Sequence, residues 1–453
     1  MDSKEKVSAL IAKARVAQKQ FESFNQEQVD ACVKAIARVI YENAEMFAKM
    51  AVEETRMGVY EDKIKKNQGK AKAIWNNLKT KKSVGLIETN EETGISIFAR
   101  PVGVVGAITP CTNPIVTPMC NAMFAFKGRN AVIIAPHPRA KKCTAEIKRL
   151  FDEALAKVGA PADLFQYIED CQVEDSAELM KSVDVVVATG GMGMVRAAYS
   201  SGKPAYGVGA GNVQGIIDDD VDIAVAASRM IASRKFDNGI ICSGTQTIIA
   251  PAKKYDEIIA EFVKQGCFFV NDPADREKFV NAIFPGGVMN KNLVGQSTAK
   301  VAEAAGVAVP EGTKVIIIEA DGHGKDFLLS KEKMCPVMSS YKYDTFEEAV
   351  AIAKDNLDFE GRGHSVDLQS NNEAHLLYAG EHLEVARILI NQECATQNGG
   401  AFTNFLTPTT TLGCCSWGNN SISENFDYRF LINYIRVARR VERYTPTDEE
   451  MWG

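Results

Sequence analysis

At 453 residues the chain exceeds the ~250–300 at which a single hydrophobic core stops growing, so two or more domains are expected. An apolar share of 46%, a charged share of 24% and a net charge of -6 exclude a disordered chain and a basic nucleic-acid binder. Eleven cysteines without a CxxC pair and five scattered histidines suit neither a disulfide framework nor a metal site, and no apolar run could span a bilayer.

Residues 4–80 read as helical. Apolar residues recur at helical intervals through Val29, Cys32, Ile36, Val39 and Ile40, and again through Phe47, Met50 and Ala51. The basic run Lys63–Lys70 reads as a solvated helix face. The amphipathic stretch Val7–Ala17 reads as an ordinary first helix rather than an address tag, and the charged residues Asp2–Lys6 are unlike a signal peptide. A cytoplasmic protein without a membrane partner is expected. Val84–Ile87 and Ile95–Ala99 flank a Thr-Asn-Glu-Glu-Thr-Gly turn and predict a hairpin over 84–99. With no obvious partner in the chain, that hairpin predicts oligomerisation, as a homodimer or homotetramer.

From Pro101 onward, short apolar runs alternate with helical stretches. Val102–Ile108, Ala131–Ala135, Leu164–Ile168 and Asp184–Ala188 predict strands, with helices over Asn113–Lys127 and Ala145–Val158. This spacing predicts an α/β fold with a parallel sheet whose ligands lie beyond the carboxyl ends of its strands. The alternation resumes with helices over Tyr255–Gln265, Ala274–Ala282, Thr298–Ala305, Phe346–Asp355 and Asn372–Ala379, and strands over Lys314–Glu319 and Val385–Ile390. The expected division is a first lobe over 1–232, a second over 233–420, and a tail over 421–453 that returns to the first lobe.

Four stretches carry candidate chemistry. Thr109-Pro110-Cys111-Thr112-Asn113-Pro114 follows the first strand of the sheet, and Asn113 suits a helix cap slightly better than an amide donor to an oxyanion. His137 and Arg139 follow the second strand, where a ribose commonly lies. With no acid beside them a 2′-phosphate is permitted, and a solvated basic loop is an equal reading. Thr189, Gly190 and Gly191 follow another strand and open a helix, which suits either a phosphate or a tight turn. Cys242 sits in Asn238-Gly239-Ile240-Ile241-Cys242-Ser243, just before the β-prone run Thr247–Ile249. Most free cysteines are small core residues, so its neighbourhood alone makes it one candidate nucleophile among eleven.

The order of Pro110–Pro114, Thr189–Gly193, Asn238–Gln246, Glu332–Pro336, Gly363-His364 and Thr411–Asn425 resembles the coenzyme A-acylating branch of the aldehyde dehydrogenase superfamily over nearly the whole chain. The most specific strings are Asn238–Ser243 and Leu412–Ser421. The resemblance implies a Rossmann-like cofactor domain, a catalytic domain and an oligomerisation hairpin. It implies NAD or NADP as cofactor, with coenzyme A and a small aldehyde as substrates. Cys242 would be the nucleophile, with Asn113 and the Cys242 backbone N–H holding the oxyanion. Glu332 would bind the nicotinamide ribose. Thr109, Pro110, His137, Arg139, Thr189, Gly190 and Gly191 would line the cofactor, and His364 would assist as acid/base or touch coenzyme A.

Hydrolytic members carry a glutamate base before a Gly-Gly pair, whereas the matching stretch here, Gly207–Asn212, contains no acid. A thiol ionising near ~8.5 needs far less help than water, so a thiol acceptor allows that loss. Relatives commonly have an acid at the position of Thr245 and a glycine at that of Cys415, and Thr396-Gln397-Asn398 is more polar than usual. With Ser243, these residues imply a pocket for an anionic aldehyde: succinate semialdehyde by overall likeness, sulfoacetaldehyde by the changed positions.

Overall fold

The computed structural model describes residues 2–453. Four helices open the chain: α1 (Ser3–Phe21), α2 (Gln26–Glu42), α3 (Ala44–Thr55) and α4 (Tyr60–Leu78). Helix α2 starts at a capping box in which the Asn25 side chain accepts from the Gln28 N–H and the Gln28 side chain returns to the Asn25 N–H. Its apolar stripe of Val29, Cys32, Val33, Ile36 and Ile40 is fully buried in the first core. Helix α4 instead turns Lys63 and Asn67 into the protein beside Ala71, Ile74 and Leu78. The lysine run is therefore not simply a solvated face.

The first parallel sheet contains β3 (Val104–Thr109), β4 (Ala131–Pro136), β5 (Phe165–Tyr167), β6 (Val185–Thr189) and β7 (Ala205–Val208), following the hairpin strands β1 (Gly85–Asn90) and β2 (Ile95–Pro101). Its spatial order is β5-β4-β3-β6-β7, so the direction of winding reverses between β3 and β6. Ligands of such sheets bind in the crevice beyond that switch point, here between the ends of β3 at Thr109 and β6 at Thr189. Strands β3 and β4 are buried at every residue because α5 (Val116–Lys127) and α6 (Lys141–Lys157) join helices on both faces of the sheet. The helix after β3 starts at Val116, later than predicted, because the Asn113–Ile115 loop intervenes.

The second sheet has seven strands in the order β10-β11-β12-β9-β8-β13-β14, all paired in parallel. They are β8 (Gln214–Ile217), β9 (Thr247–Pro251), β10 (Cys267–Val270), β11 (Val315–Glu319), β12 (Val337–Tyr343), β13 (Gly363–Gln369) and β14 (Val385–Ile390). Because β8 already belongs to this sheet, the two sheets divide between Val208 and Gln214. The expected boundary at 232 falls instead inside the helix Ile223–Lys235, whose Met230 and Ile231 pack in the second lobe's core.

The hairpin does have a partner in its own chain. Strand β15 (Ile432–Ala438) pairs antiparallel with β2, from Ile432 opposite Pro101 to Ala438 opposite Ile95. Just before it, Phe426, Tyr428 and Leu431 are buried in the first lobe's core, with Phe426 edge-on to Phe124 at 5.9 Å. Among the described residues, no helix is long and apolar enough to cross a membrane. Among the described residues, no group of three His, Cys, Asp or Glu side chains could hold a metal ion.

Candidate active site

The helix Ile223–Lys235 ends where Asp237, Asn238 and Gly239 take left-handed backbone conformations in succession (φ 51, 53 and 67°). That turn throws Ile240–Gln246 across the edge of the second lobe before β9 begins. Arg234, fully buried, clamps the loop from beneath. Its guanidinium donates to the carbonyls of Gly239 (3.0 Å), Cys335 (3.0 Å) and Lys333. Gly211, between the two sheets, lies so close that a Cβ there would stand 2.1 Å from the Cys242 carbonyl oxygen, so only glycine fits. The acid-free stretch Gly207–Asn212 thus runs directly against the Cys242 loop.

Cys242 opens onto a cavity of about 1060 Å³, including its mouth, together with Asn113, Ser243, Thr396, Lys65, Lys66 and Lys70. Its lining holds three lysines and no carboxylate or imidazole. Lys70 donates to the Gly399 carbonyl (2.9 Å), and burial lowers its pKa to about 8. Lys66 donates to Asn113 Oδ1 (2.7 Å) and to Asp237 Oδ2 (2.5 Å). Asp237, with no exposed surface, also accepts from Lys63 (3.0 Å) and from the Val59 N–H (2.8 Å). Burial alone would raise the Asp237 pKa, but Lys66 and Lys63 outweigh it and hold the carboxylate ionised.

Burial, then the Glu332 carboxylate, push the Cys242 thiol up to about 12. Glu332 is itself raised to about 8 by burial and by Glu360, although the Gly211 N–H favours its ionised form. Glu332, Gly211 and Cys242 therefore form one electrostatic group, although Glu332 lies far from Cys242 in sequence.

The cofactor candidates meet at the carboxyl edge of the first sheet. Thr109 and Thr189 end β3 and β6, flanking the switch point, with Pro110 just beyond. The Thr189 hydroxyl is buried and has no hydrogen-bond partner. Helix α7 (Met192–Tyr199) follows Gly191 without a side-chain cap, and a Cβ at Gly191 or Gly193 would meet only open space. An orphaned hydroxyl beside an uncapped helix start and open room fits a phosphate-bearing dinucleotide. His137 and Arg139 follow β4, but Arg139 is tied to the Thr55 carbonyl and the His137 Nδ1 accepts from the Arg139 N–H (3.1 Å). The acid missing from this loop comes from α3, where the Glu54 carboxylate accepts the Lys142 and Cys143 N–H groups (2.7 and 2.8 Å) at the start of α6.

Several expectations need correction. Asn113 does not cap the following helix, whose cap position is Ile115 and carries no side-chain bond; the Asn113 side-chain oxygen is engaged by Lys66 instead. Thr245 faces away from the cavity: its hydroxyl is buried against Ser233 (2.8 Å) and Asp367 (2.6 Å). Asn398 is buried on Ser365 (2.7 Å), and Gln397 accepts from the Thr403 hydroxyl (2.9 Å), so neither lines the cavity. His364 is fully buried at the start of β13 with both ring nitrogens unpartnered, and burial and Arg387 drive its pKa down to about 3. It does not line the cavity and stays neutral, so it provides no cationic acid there. Lys66 and Lys70 were missed, though their i, i+4 spacing on α4 could have shown that they share a face.

The model for the aldehyde dehydrogenase family matches residues 1–404. The chain belongs to the aldehyde dehydrogenase family. A succinate-semialdehyde dehydrogenase (acetylating) from Clostridium kluyveri is 53% identical over all of both chains. A sulfoacetaldehyde dehydrogenase (acylating) from Bilophila wadsworthia is 42% identical over 99% of this chain and 98% of its own. Among solved aldehyde dehydrogenases, an acetylating enzyme from Geobacillus thermoglucosidasius superposes with a TM-score of 0.94 at 37% identity, covering 98% of each chain. A propionaldehyde dehydrogenase from Rhodopseudomonas palustris, solved with bound coenzyme A and an acylated cysteine, matches with a TM-score of 0.85 at 26% identity, over 96% of this chain and 97% of its own.

Proposed function

We propose that the protein is a coenzyme A-acylating aldehyde dehydrogenase for a small anionic aldehyde, with Cys242 as its nucleophile. One observation carries this reading: the Cys242 cavity holds three lysines and no carboxylate or imidazole. Cations suit an anionic substrate, and the lack of a base suits an acceptor that ionises without one.

In the proposed reaction the Cys242 thiol gives its proton to solvent, and its Sγ bonds to the aldehyde carbon as the C=O π pair moves onto oxygen, giving the oxyanion of a thiohemiacetal. The Asn113 Nδ2 and the Cys242 backbone N–H hold the oxygen as its charge develops. Bound NAD or NADP supplies the hydride acceptor. Thr189, Gly190 and Gly191 would hold the phosphates, with Glu332 on the nicotinamide ribose and Thr109 and Pro110 at the crevice. The oxidised carbon stays on Cys242 as a thioester. The coenzyme A thiolate then attacks it: a new carbon–sulfur bond forms, the bond to Cys242 breaks, and the Cys242 thiolate is regenerated.

Lys70 is the proposed partner of the substrate's distal anion, because its ammonium is anchored on Gly399 at the cavity wall. Succinate semialdehyde is favoured by the 53% identical relative, and sulfoacetaldehyde is the second reading. Steady-state kinetics with both aldehydes, acetaldehyde as control, both nicotinamides, and with or without coenzyme A, test the proposal. The expected result is coenzyme A-dependent turnover with an anionic aldehyde as best substrate. Highest kcat/KM for acetaldehyde would reject the anionic pocket.

The three-stranded sheet β1-β2-β15 keeps Leu86, Ile435 and Val437 exposed, at 50, 48 and 43%. Apolar residues on a sheet with free edges support assembly into a homodimer or homotetramer, which sedimentation would read. Eleven free cysteines support a reducing, cytoplasmic setting.

A further inference from the structure

We propose that Lys66, anchored by Asp237, is a positioning residue that turns the Asn113 carboxamide so that its N–H groups are free for the oxyanion. The proposal rests on the reading of Asn113 as an oxyanion donor and names what aims it.

An ammonium can only donate, so the Asn113 atom 2.7 Å from Lys66 Nζ must be the carbonyl oxygen. That contact selects one of the two amide orientations. With the oxygen on Lys66, Nδ2 becomes the end available elsewhere, and among the described residues no acceptor takes its hydrogens. Asn113, Lys66 and Cys242 line the same cavity. A cation on the amide oxygen also polarises the group and strengthens its N–H donors.

Lys66 needs its own anchor, and Asp237 provides it. The carboxylate is fully buried, and the Lys66 side chain is only 8% exposed. Asp237 sits five positions before Cys242, in the left-handed turn that launches the nucleophile loop. Its bonds to Lys66, Lys63 and the Val59 N–H tie α4 to that loop, while Lys66 ties α4 to the Asn113 loop. Nucleophile and oxyanion donor thus come from different lobes and are set against each other through one ion-paired cluster. The nearby Lys70 faces Gly399 instead, so the two lysines have separable tasks.

The test uses the full-length enzyme and compares Lys66→Met, Lys66→Arg, Asn113→Ala and the Lys66→Met/Asn113→Ala double variant. Single-turnover rates of NADH formation are measured with succinate semialdehyde and with uncharged acetaldehyde. The expected result for Lys66→Met is a loss of about 10- to 100-fold in rate for both aldehydes, with KM changed by less than about threefold. Lys66→Arg should recover much of that loss, and the double variant should be no slower than Asn113→Ala. Should Lys66→Met fail to fold, Asp237→Asn must show the same rate-selective loss. Multiplying losses in the double variant, or a loss confined to KM for succinate semialdehyde, would overturn the positioning role while sparing Asn113. An Asn113→Ala enzyme with unchanged rate would instead overturn the oxyanion reading itself.

Discussion

Replacing Lys70 by Met removes the cation assigned to the substrate's distal anion while keeping an unbranched side chain of similar length. Its Nζ is already anchored 2.9 Å from the Gly399 carbonyl, so little entropy is spent in presenting the charge. A hydrogen bond to a charged group contributes about 1.5–3 kcal/mol, so Lys70→Met should lower kcat/KM for succinate semialdehyde about 10- to 150-fold. Butyraldehyde, similar in chain length but uncharged, should lose little. The same charge can be titrated in the unmodified enzyme. With its pKa lowered to about 8 by burial, Lys70 is protonated roughly ten to one at pH 7 and neutral roughly ten to one at pH 9. The ratio of kcat/KM for succinate semialdehyde to that for butyraldehyde should therefore fall as pH rises through about 8, and the fall should vanish in Lys70→Met. Equal losses for both aldehydes, or a ratio flat with pH, would refute the assignment.

The Cys242 thiol, raised to about 12 by burial and Glu332, should be alkylated slowly by iodoacetamide at pH 7 and faster with each step in pH up to at least 9; Glu332→Gln should quicken it chiefly above about pH 8, where the Glu332 carboxyl is ionised, and a plateau below pH 8 in the parent contradicts this. Glu54 places a carboxylate at the start of α6, beyond β4, where it would repel a ribose 2′-phosphate. Glu54→Gln should therefore raise the NADP-to-NAD ratio of kcat/KM about three- to tenfold, and an unchanged ratio removes Glu54 from cofactor choice. Cys415 adopts φ 57° and ψ -179°, a region nearly reserved for glycine. Cys415→Gly should relieve about 1–3 kcal/mol of strain and raise the thermal midpoint, whereas a lower midpoint would mean that lost packing outweighs strain.

The parts legible in the sequence were those in which burial and periodicity agree. The stripe of α2 and the all-apolar runs of β3 and β4 announce themselves because their partners are simply apolar. Strands β12 and β13 do not, since Val337–Tyr343 and Gly363–Gln369 carry Ser, His, Asp and Gln into a buried sheet. The serines and the aspartate find partners that periodicity does not show, since the Ser339 hydroxyl donates to the Leu329 carbonyl (2.7 Å) and Asp367 accepts from Thr245 and Gln369, whereas the His364 ring is left without one. The partner of the hairpin was hidden for the same reason, since β15 lies over 300 residues away in sequence.

The site divides along similar lines. Cys242 and Asn113 stand in recognisable strings, and the fold brings them to one cavity. Lys66 and Lys70 look like a solvated face until Asp237 and Gly399 draw them inward. Thr245 misled by adjacency: three residues beyond Cys242 the chain has already entered the second lobe's core, where its hydroxyl meets Ser233 and Asp367.

The central claim is that the acyl group rests on Cys242 and leaves on a thiol. It is tested by mixing enzyme, nicotinamide cofactor and succinate semialdehyde without coenzyme A, then following reduced cofactor while mapping the protein by mass spectrometry. A thioester route predicts a burst of about one equivalent per active site, an acyl adduct on the peptide bearing Cys242, and release of both blocks on adding coenzyme A. Continuous turnover without coenzyme A, at the rate seen with it and with Cys242 unmodified, would contradict it.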